Sequence, residues 1–192
     1  MKIGVLALQG AFIEHKKKLE QLGVEVVEVR LPPDLEGLDG LIIPGGESTT
    51  IGKLAVEYGL VEPLAAFARS KPVWGTCAGM IFMARDIGLH QPLLGVMDIT
   101  VQRNAFGRQV DSFETDLEIE GLNGDGPFPA IFIRAPRISN IDDENVQVLA
   151  RLQDGTAVAA RQGHWLVTSF HPELSDDDRL HRYFIDLINS QE

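Results

Sequence analysis

The chain has 192 residues, of which 44% are hydrophobic and 23% charged, so it is long enough for one globular domain with a sizeable core. Its formal net charge of −11, with no basic cluster larger than Lys16-Lys17-Lys18, argues against a surface that binds nucleic acid or an anionic membrane. The single cysteine excludes an internal disulfide and a cysteine-based zinc cluster, and it is typical of a protein of the reducing cytoplasm.

The first half of the chain alternates between strand-like and helical patterns. Residues 3–8 are a continuous apolar run, typical of a parallel strand buried on both faces and too short to span a membrane. Apolar spacing then predicts an amphipathic helix from Phe12 that stops at Gly23. Further strands are predicted at 24–29 and 41–43, and helices at 50–58 and 61–69. This alternation predicts a parallel sheet with helices on both faces.

The second half of the chain is richer in strands. They are predicted at 96–101, 112–119, 130–133, 146–152, 157–160 and 166–170, and turn sequences separate them. We therefore expect added antiparallel pairs in this half. A closing helix is predicted at 177–188, with Ser175 as its N-cap. The whole chain, 1–192, is expected to form a single α/β domain with a mostly parallel central sheet.

The only cysteine lies in Gly75-Thr76-Cys77-Ala78-Gly79, where a short apolar run gives way to a helical one. The pattern Gly-x-Cys-x-Gly has the form of a nucleophile elbow, with sulfur in place of the serine oxygen. Small neighbours allow the sharp strand-to-helix turn, and the following helix N-terminus would stabilise a thiolate and offer N–H groups to an oxyanion. A buried structural cysteine is the alternative that this motif alone leaves open.

A nucleophilic cysteine needs a base, and His171 is the best placed of the histidines. It ends the apolar strand that leads into Phe170-His171-Pro172-Glu173, and strand ends are where an open parallel sheet forms its site. Extended geometry before the proline would turn His171 and Glu173 to the same side, so that the carboxylate orients the ring. The alternative is a strand-end histidine that only bonds a turn.

Two further features are compatible with a small polar substrate. The loop that begins Pro44-Gly45-Gly46-Glu47 follows another strand end, and its glycines would let the backbone approach a ligand. Arg103 and Arg134 stand in partly apolar settings, where an arginine either pairs with an internal carboxylate or binds a substrate carboxylate. The residues alone favour the structural pairing.

Together these motifs resemble the class I glutamine amidotransferases. Within that class the chain resembles, over nearly its full length, the glutaminase subunits of pyridoxal 5′-phosphate synthases. The segments that carry the closer resemblance are residues 4–11, 44–50, 103–114 and 132–136. Other glutaminases share the triad motifs, whereas Gly-Gly-Glu-Ser-Thr-Thr and Phe-Gly-Arg-Gln-Val-Asp-Ser-Phe-Glu are far more specific.

The resemblance implies a three-layer α/β fold and a Cys77–His171–Glu173 triad that hydrolyses L-glutamine through a thioester, with no cofactor and no metal. It implies glutamine binding by Gly46, Glu47, Ser48, Arg103, Ile133 and Arg134, an oxyanion hole at Gly45, Gly46 and Ala78, and a partner interface that includes Gln9 and Gly10. The implied partner is a synthase subunit in a large hetero-oligomer, which uses the ammonia to join a pentose phosphate and a triose phosphate.

Two alternative functions stay open at this point. One is the glutaminase subunit of another amidotransferase, such as imidazole glycerol phosphate synthase, which should share the triad without the longer specific string. The other is a non-catalytic relative in which Cys77 senses redox state. Such a protein would have no need of the arginine pair or of Glu173 behind His171.

Overall fold

The computed structural model describes residues 1–103 and 112–191. The strands in chain order are β1 (Lys2–Leu6), β2 (Glu25–Val29), β3 (Gly40–Ile43), β4 (Val73–Thr76), β5 (Ala84–Asp86), β6 (Met97–Gln102), β7 (Ser112–Leu117), β8 (Phe128–Ile133), β9 (Arg137–Ile141), β10 (Val146–Arg151), β11 (Ala157–Gln162) and β12 (Trp165–Thr168). The helices are α1 (Phe12–Gln21), α2 (Ser48–Glu57), α3 (Val61–Ala68), α4 (Ala78–Met83) and α5 (Arg179–Asn189), with 3₁₀ turns at Pro32–Leu35 and Pro172–Leu174.

Ten strands form one sheet in the order β2-β1-β3-β4-β12-β11-β9-β6-β5, with β10 paired to β11. In the run β2-β1-β3-β4-β12, every neighbouring pair of strands is parallel. Strand β11 pairs antiparallel with β12, β10 and β9. Strands β7 and β8 form a separate antiparallel hairpin. The parallel strands of the first half and the antiparallel additions of the second half are therefore confirmed.

Helices cover both faces of this sheet, which gives three layers. One core cluster contains side chains of α2, α3 and α4, including Ile51, Leu64 and Phe82. The other cluster contains side chains of α1 and α5, including Leu19 and Phe184, together with the β7–β8 hairpin. Burial on both faces explains why the central strands are continuous apolar runs in the sequence.

Most predicted elements are present with small shifts at their ends, and the exceptions are short or local. Strands β5 and β9 were not expected. The prediction of Ser175 as the N-cap of the last helix is wrong, because α5 begins at Arg179 with Asp178 at the N-cap position. Ser175 instead ends the 3₁₀ turn, where its hydroxyl accepts a hydrogen bond from the Asp177 N–H at 3.1 Å.

Within residues 1–103 and 112–191, no helix is both long enough and apolar enough to cross a membrane. Residues 104–111, which hold much of the Phe-Gly-Arg-Gln-Val-Asp-Ser-Phe-Glu string, lie outside the described residues.

The strand-to-helix turn after β4 depends on a close approach between Gly79 and β3. A Cβ atom at Gly79 would overlap the carbonyl oxygen of Ile43. One at Gly75 would lie 2.7 Å from the carbonyl carbon of Gly79. Glycine at both positions therefore lets α4 start directly against the sheet.

We expect Gly79→Ala to lower the free energy of unfolding by about 3 kcal/mol, because backbone atoms must move apart to admit the methyl group. The control is Gly59→Ala. Gly59 has a φ of +64° and, among the described residues, no heavy atom within 4 Å of an added Cβ. Gly59→Ala should lower the free energy of unfolding by only about 1 kcal/mol, the cost of a left-handed backbone conformation in a residue with a Cβ. Urea denaturation measures both, and equal losses would contradict the close-approach explanation.

Candidate active site

The carboxyl ends of three neighbouring parallel strands meet at one edge of the sheet. Strand β4 pairs with β3 on one side and with β12 on the other. The loops that follow these strands carry Gly45 and Gly46, Cys77, and His171. Parallel pairing alone therefore brings together three segments that are far apart in the sequence.

Cys77 occupies a strained turn between β4 and α4. Its φ is 49° and its ψ is −106°, a conformation that costs energy in any residue with a Cβ. The turn is anchored by the Cys77 N–H, which donates to the Thr168 carbonyl at 2.8 Å. The sulfur lies 4.0 Å from the Ile133 carbonyl oxygen, and 6% of the residue is exposed. The sulfur is thus held at the edge of the sheet.

His171 and Glu173 form a short polar contact at this edge, with Nδ1 2.7 Å from Oε1. The extended geometry expected for this pair is wrong, because Pro172–Leu174 is a 3₁₀ turn. The turn, rather than strand alternation, returns the carboxylate to the ring. Burial alone would lower the pKa of His171, but hydrogen bonds to Cys77 and Glu173 raise it to about 10. At neutral pH the His171 ring is therefore protonated and places a positive charge beside Cys77.

The glycine loop lies against both the cysteine and the histidine. A Cβ at Gly45 would lie 2.5 Å from His171 Cε1 and 3.2 Å from Cys77 Cβ, so only glycine fits there. The Gly45 carbonyl accepts a hydrogen bond from the Ala11 N–H at 3.0 Å. A Cβ at Gly10 would overlap this carbonyl, so the turn at Gly10 fixes the position of the glycine loop.

A cavity of about 450 Å³ opens above Cys77. It is lined by Gln9, Gly46, Glu47, Ser48, Cys77, Ala78, Ile81, Arg103, Ile133, Arg134 and His171. All the predicted glutamine-binding residues therefore border one cavity with the cysteine and the histidine. The predicted site residues Gly10, Gly45 and Glu173 are not part of this lining. Ile81 was not expected, and its helical spacing of four residues from Cys77 would have been the signal.

The start of α2 forms one wall of the cavity. The Glu47 side chain caps this helix by accepting from the N–H groups of Thr49 and Thr50 at 3.0 and 2.8 Å. Burial would raise the pKa of Glu47, but the hydrogen bonds from Thr50 and Thr49 lower it to about 2. Ser48 is 2% exposed, and its hydroxyl has no hydrogen-bond partner within the described part of the chain. This wall therefore presents a fixed carboxylate and an unused hydroxyl.

The two arginines differ in their surroundings. Arg103 donates to Glu47 Oε1 at 3.2 Å and to the side chains of Thr49 and Gln91 at 3.2 and 3.0 Å. It has the structural pairing that the sequence favoured, although it also borders the cavity. Arg134 follows β8 with a φ of 44°, in the left-handed region that non-glycine residues rarely adopt. This backbone turn directs the chain from β8 past the cavity.

Gln9 lies in the cavity wall as well as in the loop expected to contact a partner. Its Oε1 accepts a hydrogen bond from the Glu47 N–H at 2.7 Å. The loop after β1 therefore contacts the segment after β3 at two points, through Gln9 and through Ala11.

Behind Glu173 lie two buried histidines that sequence reasoning did not connect with the site. His15 of α1 and His181 of α5 are both 0% exposed, and Nδ1 of His15 is 3.0 Å from Nε2 of His181. Burial lowers the pKa of both rings, that of His181 to about 3. Both histidines lie on the apolar face of their helix, His15 four residues before Leu19 and His181 three residues before Phe184. This helical spacing is the sequence pattern that could have predicted their burial.

The described residues contain no group of three or more His, Cys, Asp or Glu side chains that could hold a metal ion.

Comparison with known proteins gives a consistent result. The family model described as "SNO glutamine amidotransferase family" matches residues 5–190. The chain is 57% identical over 192 residues to the pyridoxal 5′-phosphate synthase subunit PdxT of Herpetosiphon aurantiacus, covering 97% of this chain and 100% of that relative. It is 59% identical over 190 residues to the subunit of the same name from Moorella thermoacetica, covering 98% of this chain and 100% of that relative.

The fold is also similar to that of a crystal structure described as a glutamine amidotransferase. The TM-score is 0.91 and the identity 54%, with 97% of this chain and 98% of that chain covered. The three-layer architecture expected from the sequence is thereby confirmed.

The buried histidine pair predicts how stability depends on pH. Both rings are neutral in the folded protein, whereas a histidine in the unfolded chain titrates near its ordinary pKa of about 6.5. Below that pH the unfolded state binds more protons, so stability falls as the pH falls from about 6.5 toward 3. Between about pH 6.5 and 5, the free energy of unfolding therefore decreases with each unit of falling pH. Replacing His181 with Phe should reduce this slope by up to roughly 1.4 kcal/mol per pH unit.

Urea unfolding at several pH values in this range measures the slope. The matched control is His90→Phe, because His90 is exposed in the folded protein. Its slope should equal that of the unsubstituted chain. An unchanged slope in His181→Phe would contradict the assignment of a neutral buried ring.

Proposed function

The chain belongs to the SNO glutamine amidotransferase family, and we propose on that premise that it is the glutaminase subunit of a pyridoxal 5′-phosphate synthase. It hydrolyses L-glutamine to L-glutamate and ammonia, acting as a single domain over residues 1–192. The observation that carries this proposal is the arrangement of Cys77 and His171 on the wall of one cavity, with Glu173 bonded behind the histidine.

The proposed reaction begins with attack of the Cys77 thiolate on the side-chain amide carbon of glutamine. The tetrahedral intermediate collapses as His171 donates its proton to the departing nitrogen, which leaves as ammonia. A water molecule, deprotonated by His171, then attacks the thioester and releases glutamate with the thiolate. Glu173 keeps Nδ1 of His171 oriented and stabilises the imidazolium throughout.

The oxyanion of the tetrahedral intermediate needs N–H donors next to the sulfur. We assign this role to the backbone of Ala78, which follows the strained Cys77, and to Gly45 and Gly46. The Gly45 carbonyl is bound by the Ala11 N–H, so the orientation of the Gly45–Gly46 peptide depends on the loop after β1. Gln9 and Gly10 in this loop are proposed to contribute to the synthase interface.

Glutamine carries an ammonium group and a carboxylate as well as its amide, and the cavity provides groups for each. The Ser48 hydroxyl is buried beside the cavity without a partner among residues 1–103 and 112–191, so it is available to the substrate. Arg134 and Arg103 supply positive charge for the carboxylate, and Glu47 supplies negative charge for the ammonium group. The Ile133 carbonyl, 4.0 Å from the sulfur, is placed to accept from the amide nitrogen, and Gly46 lets the substrate approach the backbone.

The ammonia is passed to the synthase subunit, which incorporates it while joining a pentose phosphate and a triose phosphate. The two chains form a large hetero-oligomer. We place this assembly in the cytoplasm, where the lone thiol of Cys77 stays reduced.

We expect Cys77→Ala to abolish glutamine hydrolysis, because Cys77 is the single cysteine of the sequence and a thioester needs a thiol. The measurement is ammonia release from glutamine by this chain mixed with its synthase subunit. The control is the same mixture supplied with ammonium, in which pyridoxal 5′-phosphate formation should persist. Residual glutaminase turnover in the variant would refute the nucleophile, and inactivity of the unsubstituted chain with a competent synthase would refute the function.

We expect Arg134→Ala to reduce kcat/KM for glutamine by roughly 10- to 150-fold, equivalent to the loss of a charge-assisted hydrogen bond of about 1.5–3 kcal/mol. The matched control is Arg137→Ala. That guanidinium binds the Gln102 side chain at 2.7 and 2.9 Å and lies outside the cavity lining. Steady-state kinetics of the complex distinguish the two variants. An unchanged kcat/KM in Arg134→Ala would assign this arginine a structural role only.

A further inference from the structure

We propose that His15 is a positioning residue for the catalytic centre, holding the second oxygen of the Glu173 carboxylate through its Nε2–H. This inference rests on the proposed function, in which Glu173 orients His171. It adds a buried chain of side chains that runs from α5 through α1 to the catalytic histidine: His181, His15, Glu173 and His171.

The two oxygens of Glu173 have different surroundings. Oε1 lies 2.7 Å from His171 Nδ1. Oε2 is fully buried and, counting only the described residues, makes no hydrogen bond of standard geometry. However, Nε2 of His15 lies 3.4 Å from it, and both side chains are 0% exposed. A buried carboxylate oxygen is costly without a donor, so this nitrogen is the group that satisfies it.

Nε2 of His15 also lies 3.2 Å from the hydroxyl oxygen of Thr76. One N–H can be shared between two acceptors, as in the three-centre hydrogen bonds that are common at helix termini. Thr76 directly precedes Cys77 in the chain. The same ring nitrogen therefore bridges the carboxylate of the triad and the last residue of the strand that presents the nucleophile.

The position of the protons follows from the contacts at both ends of the chain. If His15 carried its proton on Nδ1, the Nε2 lone pair would face the Glu173 carboxylate, and the two would repel each other. In that case His181 would have to carry its proton on Nδ1, a buried atom without a partner within residues 1–103 and 112–191.

The opposite tautomers remove both faults. His181 donates from Nε2 to Nδ1 of His15 over 3.0 Å, and His15 donates from Nε2 toward Glu173 and Thr76. Every N–H of the two rings then has an acceptor, and only the Nδ1 lone pair of His181 is left unpaired. His181 thus fixes the tautomer that lets His15 serve as a donor to the carboxylate.

Packing alone does not account for a histidine pair at this place. The rings of His15 and His181 contact Trp74 edge-on, with centroid distances of 5.7 and 5.0 Å. Phe184 contacts the same indole, with a centroid distance of 5.6 Å. Apolar side chains would fill this space without burying four polar ring nitrogens. A polar pair is explained by its contact with Glu173, because the proposed reaction requires this carboxylate to be ionised and held in one orientation.

The test compares His15→Gln with His15→Met in complex with the synthase subunit. The two side chains have similar length, but only glutamine carries an N–H donor near the position of Nε2. We expect His15→Met to lower kcat by about 10- to 100-fold, as loss of a supporting hydrogen bond does in other sites. KM for glutamine should stay within about twofold, because His15 does not border the cavity. His15→Gln should recover most of the lost kcat.

The pH dependence provides a readout that a packing defect would not move. If His15 holds the Glu173 carboxylate in place, its loss weakens the hydrogen bond that helps to raise the pKa of His171. The acid limb of kcat, which reports His171 acting as a base, should therefore move to lower pH by about one unit in His15→Met. Cys77 and Glu173 are the titratable groups that act on His171. His15 is surrounded by His181 on α5, Glu173 in the 3₁₀ turn, His171 before that turn, and Lys18 on α1. None of these is changed by the substitution.

Two further variants separate positioning from stability. Phe184→Leu loosens the packing on Trp74 without touching a polar group, and it should lower the melting temperature while leaving the acid limb in place. If His15→Met does not fold, His15→Asn replaces it, because its amide reaches only the Nδ1 position and so contacts His181 rather than Glu173. His15→Asn should then be impaired relative to His15→Gln.

The outcomes are distinct for the two proposals. If the unsubstituted complex releases no ammonia from glutamine, the proposed function fails. The positioning role is still tested by following the His171 ring by NMR in the isolated chain, where His15→Met should lower the pKa of His171 by about one unit and His15→Gln should not. Equal kcat, acid limb and His171 titration in the Gln and Met variants would overturn the role of His15.

Discussion

The parallel pairing of β3, β4 and β12 is the constraint on which the proposed active site depends. Strand β4 lies between the other two, so the residues that follow all three strands must share one edge. The contact of Gly79 with the Ile43 carbonyl then seats α4 directly on β3. Because no Cβ intervenes, Cys77 is forced into its strained turn, next to Gly45 and His171. The strain at the cysteine is thus a consequence of how closely the helix packs on the sheet.

The electrostatics of the site depend on a single buried carboxylate. Glu173 is 4% exposed as a residue, and its hydrogen bond helps to raise the pKa of His171 against the opposing effect of burial. An imidazolium so stabilised is the partner that a thiolate needs, and it is also a proton donor for a departing amine. The two neutral histidines behind the carboxylate add no charge. They supply a donor without competing for the proton on His171.

Local motifs in the sequence predicted the parts of the site that depend on residues close together in the chain. The glycines around Cys77, the pair Gly45-Gly46 and the sequence His171-Pro172-Glu173 each encode one backbone turn, and strand order brings these turns together. The sequence could not show that Glu173 reaches His171 through a 3₁₀ turn, or that Gln9 borders the cavity. The His15–His181 contact joins residues 166 positions apart, and only the packing of α1 beside α5 creates it.

The segment from Gln9 to His15 connects these observations. At its start, Gln9 accepts from the Glu47 N–H, and the Ala11 N–H binds the Gly45 carbonyl. At its end, His15 lies 3.4 Å from the far oxygen of Glu173. The proposed oxyanion donors and the proposed orienting carboxylate are therefore both attached to the beginning of α1. A displacement of this segment must alter the two halves of the proposed catalytic centre together, because the loop and the helix turn that contact them are continuous in the chain.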